Sequence, residues 1–396
     1  MFRPATAATW ASPWRGYADL RDHAPVHHVL RPGGRDYYVL SRHADVLAAA
    51  VDTATYSSAQ GLTVEYDELE TIGMAENRPL VMLDPPDHTA FRKLVARGFT
   101  PRQVTTLEPA VRAFVVERLE RLREQGGGDI VETLFKPLPT MVVAHYLGVP
   151  EEERDRFDDW THAIVAASSA GAVLDAAEAI GEMMAYFTAL IERRRVDPGD
   201  DTVSHLVAAG VGTDPDDTAG LLSILAYVFT VVTGGNDTTT GMLGGSVQLL
   251  ESDRDQRRLL LADPSLVGEA VEELLRLTSP VQGLARTTTR DVELHGATIP
   301  AGRRVLLLYG AANRDPRRYG PDADALDVRR RPTQILTFSQ GSHHCLGAAA
   351  ARLQARIALE ELLARCPDFT VDLAGVEWAP GPYVRRPTVV PFQVAG

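Results

Sequence analysis

The residues Phe338-Ser-Gln-Gly341-Ser-His343-His-Cys345-Leu-Gly347-Ala-Ala-Ala-Ala-Arg352 constrain the chain more than any other stretch. One cysteine lies between a glycine-bearing loop and a run of strong helix formers, so its sulfur is expected beside the first turn of a helix. Free N–H groups and the positive end of the helix dipole favour an anion there. A thiolate so placed is a good ligand for a soft, redox-active metal. Gly347 removes a side chain where a flat group would have to approach the backbone, and Gly341 lets the loop turn beneath it. Phe338 can pack against the same loop. Taken alone, the cysteine is equally compatible with a buried structural role, since free Cys is among the most buried residue types. The full string, with a helix following directly, argues for the ligand. Cys366, at a helix end before Pro367 and with no glycine loop upstream, reads as packing.

Helical periodicity dominates the rest. Apolar residues recur at three- and four-residue spacing over 110–124, 175–195, 218–250, 264–277 and 346–365. Short strand-like runs at 26–30 and 37–40 flank Pro32-Gly33-Gly34 as a hairpin would, and others fall at 292–294, 304–308, 369–371 and 389–394. Strands cluster at both chain ends and helices fill the middle, so the ends should meet in space. No low-complexity linker or repeat divides the chain, and one mixed, mainly helical domain over 1–396 is expected. With 45% hydrophobic and 23% charged residues a large core is affordable. The net charge of −13 excludes an ordinary nucleic-acid binder. The longest apolar run, Leu221 to Val232, falls short of the roughly 20 residues a membrane helix needs. The opening Met-Phe-Arg-Pro-Ala-Thr lacks the pattern of an export signal, so the expected place is the cytoplasm, without disulfides or a membrane anchor.

Inside the most apolar helix stands Val231-Val-Thr-Gly234-Gly235-Asn-Asp237-Thr238-Thr239-Thr240. Two adjacent glycines cost a helix about 2 kcal/mol relative to alanine. They make a notch for a flat ligand or a small gas molecule, or they let two helices approach closely. An acid and an alcohol directly after the notch favour the first reading. Elsewhere, His88 and Arg92 are four apart behind the helix-start signals of Asp84-Pro-Pro-Asp and share one helical face. Glu273 and Arg276 have the spacing of an intrahelical ion pair.

The string around Cys345 resembles the haem-binding signature of cytochrome P450, the haem-thiolate monooxygenase family, and Gly234 to Thr239 resembles that family's distal-helix motif. The match runs from about Val26 to Phe392 with five motifs in the family's order. The resemblance implies a mainly α fold with small β-sheets (α+β), with haem b (protoporphyrin IX with iron) between a long distal helix and a proximal cysteine loop and helix. It implies Cys345 as the axial iron ligand, with Phe338, Gly347 and Gly235 against the cofactor. Arg92, His343, His88 and Arg286 would bind the haem propionates. Asp237 and Thr238 would be the acid–alcohol pair that relays protons to dioxygen. Glu273 and Arg276 would lock the loop below the haem together with Arg330, preferred over Arg329 by its spacing to Phe338. Departures are small: Ser339 stands where glycine is frequent, Ala350 where leucine is usual, and Gly234 where alanine is common.

The activity implied is insertion of one oxygen atom of O2 into a small hydrophobic substrate. Electrons would come from NAD(P)H through a ferredoxin reductase and a ferredoxin, and azole-type inhibitors would be accepted. Arg97, Arg102, Arg352 and Arg356 are candidates for a basic ferredoxin-docking patch. Val231, Gly234, Leu284 and Val384 are candidates for the pocket wall. A peroxide-using peroxygenase is disfavoured by the acid–alcohol pair, which a haem or gas sensor would leave unexplained.

Overall fold

The computed structural model describes residues 10–31, 33–71, 73–170, 173–212 and 217–394; the opening residues and Pro32 of the expected hairpin lie outside them. Helices dominate. The longest, Thr218–Ser252, begins where the Asp217 side chain accepts from the Gly220 N–H and carries no proline along its 35 residues. It packs against helices Pro137–Leu147, Arg154–Ala170, Val267–Thr278 and Ala348–Arg365. By length and composition it could cross a membrane, with a mean hydropathy of 1.6 over its best 18 residues. That corrects the expectation that no such stretch exists: glycines, serines and threonines continue the apolar run instead of ending it. In this fold the helix is the axis of the core, and its interior residues Ile224, Val228, Val232, Leu243 and Val247 are fully buried.

The expected helices form with shifted ends. Gly347 holds the N-cap position, so the last long helix starts at Ala348. The segment expected from Pro264 opens as a short 3-10 turn over Pro264–Leu266, capped by Asp263, before Val267–Thr278 continues it. Helix Pro137–Leu147 lacks a polar face and carries two prolines in its first turn; no helical period marks it, because it is buried nearly all round.

Val26–Val29 and Tyr37–Leu40 pair as an antiparallel hairpin, and Tyr37–Leu40 lies parallel to Arg304–Leu307. Leu284–Thr288 and Tyr56–Ser57 complete a five-stranded sheet. A second sheet joins Gly127–Asp129, Pro391–Gln393 and Thr370–Val371. Strands from opposite ends of the chain do meet. They hold the segments that carry Arg286, Val384 and Cys345 around the long helix.

Candidate functional site

The Cys345 loop is fixed from behind. Asn313 accepts the Leu336 N–H (2.7 Å) through its carbonyl and donates to the Thr337 hydroxyl (3.0 Å), which itself donates to the Leu275 carbonyl. The Cys345 N–H closes the loop onto the Phe338 carbonyl at 2.8 Å. Ser339 has φ +55° and Gly341 φ +72°, the left-handed region. This accounts for glycine being frequent at the first of these positions. A Cβ on Gly341 would stand 3.0 Å from the Val51 Cα, so a second constraint keeps that residue small. Cys345 is exposed. Burial pushes its thiol above the ordinary value, while the Gly347 N–H, Arg92 and Arg352 pull it down. A metal cation at the sulfur would reverse that balance and hold the thiolate. A Cβ built on Gly347 would meet nothing within 4 Å.

Beside the loop, four basic side chains from three segments gather: His88 and Arg92 from helix Asp87–Val95, Arg286 from strand Leu284–Thr288, and His343 from the loop itself. The His88 and His343 rings lie 4.1 Å apart, and the His88 Nδ1 is buried without a hydrogen-bond partner. His343 Nε2 is 3.2 Å from the Ser58 hydroxyl. Arg92 donates to the His344 carbonyl (2.6 Å), and the buried Arg286 to its neighbour's, Ala285 (2.8 Å). Burial, then the charges of Arg286, His88 and Arg92, push His343 down to about 3. None of the four forms an ion pair with a carboxylate among the described residues. Two guanidinium cations, Arg92 and Arg286, so placed beside two imidazoles are costly unless an anion joins them, and an anion there would also favour protonation of the imidazoles. A flat, metal-bearing group with two carboxylates fits all of this: a sulfur donor, open space over Gly347, and two arginines and two imidazoles able to meet an anion.

On the long helix, Val231, Gly234 and Thr238 share one face. Gly234 is exposed and a Cβ there would meet nothing, so it is the notch. Gly235 is different: its Cβ would fall 2.7 Å from Val143 Cγ2. At Gly235 the structure therefore shows helix-to-helix packing, the alternative reading of the glycine pair. Gly235→Ala should cost about 1–3 kcal/mol through overpacking. Gly234→Ala should be neutral or gain up to about 1 kcal/mol of helix propensity. Urea denaturation of both variants checks the pair; equal losses would contradict the split. The Thr238 hydroxyl donates to the Gly234 carbonyl at 2.9 Å. Asp237 is buried, its Oδ1 2.7 Å from Arg386 Nε. Nothing in the sequence reading pointed to Arg386; two adjacent arginines in the otherwise apolar stretch 379–394 were the available signal.

Glu273 and Arg276 are fully buried and bidentate, at 2.7 Å for both contacts, and Arg330 Nε adds a third bond to Glu273 at 3.1 Å. Among the described residues Arg329 bonds through its backbone N–H, to Asp327 Oδ1. Arg352 stacks over Phe338 (4.5 Å) and pairs with Glu272. Arg356 pairs with Glu108 (2.7 Å) and Glu360 (2.9 Å). Two of the four arginines expected to form a docking patch are thus paired with neighbours, while Arg97 and Arg102 stand exposed. Leu284 opens the strand beside Arg286, and Val384 bridges Val281.

The family description "Cytochrome P450" matches residues 248–374. Cytochrome P450 130 of Mycobacterium tuberculosis is 69% identical to this chain, covering 99% of it and 98% of the relative. The vitamin D(3) 25-hydroxylase of Pseudonocardia autotrophica is 37% identical, covering 91% and 88%. The solved structure of Mycobacterium marinum cytochrome P450 CYP268A2 in complex with pseudoionone superposes with a TM-score of 0.86 at 30% identity, covering 99% and 98%.

Proposed function

The chain belongs to the cytochrome P450 family and is a haem-iron monooxygenase, and on that premise we propose which of its residues serve the reaction. The cofactor would be haem b, which the Cys345 thiolate would hold through its iron, with Arg92, His343, His88 and Arg286 available to its propionates. The single observation that carries this is the gathering of those four basic groups beside the thiol, none of them in an ion pair with a carboxylate among the described residues. When bound, the haem supplies the activation of dioxygen, which a thiolate ligand promotes.

The protein's part is to bind, to exclude water and to deliver protons. Thr238 has its hydroxyl hydrogen on the Gly234 carbonyl, so its lone pairs are left to accept one from solvent or acid. To hand a proton on, the hydroxyl turns away from Gly234. Asp237 is the carboxyl that resupplies it. The substrate is a small hydrophobic molecule against Val231, Gly234, Leu284 and Val384; the apolar vitamin D(3) named for one relative supports that class. Electrons come from NAD(P)H through a ferredoxin reductase and a ferredoxin, azole-type inhibitors occupy the same pocket, and the protein works in the cytoplasm as one domain over 1–396.

Thr238→Ala tests the assignment. Since positioned proton transfer contributes about 10²–10⁴-fold, the variant should still consume NAD(P)H with substrate present while product per reductant falls at least about tenfold. Full coupling in Thr238→Ala would show that the hydroxyl has no such role.

A further inference from the structure

We propose that Arg386 is a positioning residue of the proton path: it holds the Asp237 carboxylate in place, and a glycine strip on the long helix exists to seat the segment that delivers it. The inference rests on the reading of Asp237 as the acid. The geometry comes from three glycines beyond the notch. Asp237, Gly241 and the pair Gly244–Gly245 follow at steps of four and three or four, so they line one face of the helix.

A Cβ on Gly241 would lie 2.7 Å from the Arg385 carbonyl oxygen, and one on Gly244 2.5 Å from Pro387 Cγ. A Cβ on Gly245 would lie 2.7 Å from Thr278 Cγ2. Real side chains do not approach so closely. Residues 385–387 therefore lie directly on the helix backbone, and only glycine permits it at 241 and 244. A helix with three more glycines bears a propensity cost that packing alone could avoid with alanine and a slightly wider spacing.

The segment is pinned on both sides of Arg386. The Arg385 N–H donates to the Pro280 carbonyl at 2.7 Å, and the Ala379 N–H to the Arg386 carbonyl at 3.0 Å. Arg385 sends its own side chain the other way, to the Trp10 carbonyl (2.7 Å) and over the Trp378 ring (4.0 Å). Pro387–Val389 pairs with Glu377–Trp378. With its backbone fixed, Arg386 has little freedom to leave Asp237, and the two side chains are each only 10% exposed. The arrangement fixes where the carboxylate can take and release a proton. It also ties the acid to Val384, two residues away on the pocket wall.

The test uses the haem-loaded protein with substrate and redox partners. Asp237→Asn, Arg386→Leu, Arg386→Lys and the Asp237→Asn/Arg386→Leu pair are compared for product per reductant, for the solvent deuterium isotope effect, and for amide hydrogen exchange over 384–389. Arg386→Leu should lose roughly tenfold in coupling, as a general-acid step would, and Arg386→Lys should recover part of it. The double variant should be no worse than Asp237→Asn, because residues acting as one unit are not additive. Asp237→Asn should leave exchange over 384–389 little changed, since backbone bonds and the seat on the helix hold that segment without the acid. Wild-type coupling and isotope effect in Arg386→Leu beside an impaired Asp237→Asn would overturn the role of Arg386 alone. Full coupling in Asp237→Asn would overturn the acid reading and this proposal with it. Tenfold faster exchange over 384–389 in Asp237→Asn would show that the acid holds the segment and overturn the reading that a fixed Arg386 holds the acid.

Discussion

Replacing Arg276 by leucine should destabilise the protein by about 3–5 kcal/mol, the usual loss when one member of a buried ion pair is removed, and should empty it of haem. The side chain is fully buried and uses its whole fork. Two bonds go to Glu273, and Nη1 donates to the carbonyls of Asn313 (2.7 Å) and Ala323 (2.6 Å). Leucine would leave Glu273 charged and buried, supported by Arg330 and by the Asp327 N–H at 3.3 Å. Two carbonyls would also lose their donor, and unmet buried polar groups are expensive. Asn313 matters beyond its own energy, because its side chain holds Leu336 and Thr337, from which the chain runs into the Cys345 loop. The damage therefore travels to the ligand. Arg276→Lys should fare only slightly better, since an ammonium cannot make the paired contact. Urea midpoint and bound haem per chain measure it. A variant with wild-type midpoint and full haem would refute the structural role.

Cys345→His should give a protein that folds and retains some haem but has lost monooxygenation. Neutral imidazole donates less electron density to iron than a thiolate does. The loss should exceed about 100-fold, the upper end of what removing a mere supporting group costs a metal site. The long-wavelength absorption band of the reduced carbon monoxide complex, for which the family is named, should vanish. The variant is also informative about packing. The loop closes through the backbone of Cys345 to Phe338, so a change of side chain leaves that bond in place.

The parts of the site that were legible in the sequence are those written locally. The Cys345 loop, the His88–Arg92 helix and the Glu273–Arg276 pair each lie within one short segment, where spacing alone fixes which side chains can share a face. The long helix was legible for the same reason, although the extent of its apolar stretch was underestimated. What stayed hidden depends on a partner distant in sequence. Gly234 and Gly235 look equivalent in the chain, yet one faces open space and the other Val143, because successive helical residues point about 100° apart. Arg386 sits 149 positions from Asp237, and no local pattern joins them. Helix Pro137–Leu147 escaped because burial on every side removes the period that marks a helix. The docking arginines were read as a positive patch, but Arg352 and Arg356 are cancelled by glutamates from other helices, Glu272 and Glu108.

X-ray absorption at the iron edge of the purified, haem-loaded protein tests the ligation most directly. The wild type should show one sulfur among the neighbours of iron, lost in Cys345→Ser. Only nitrogen and oxygen around the wild-type iron would contradict the assignment of Cys345.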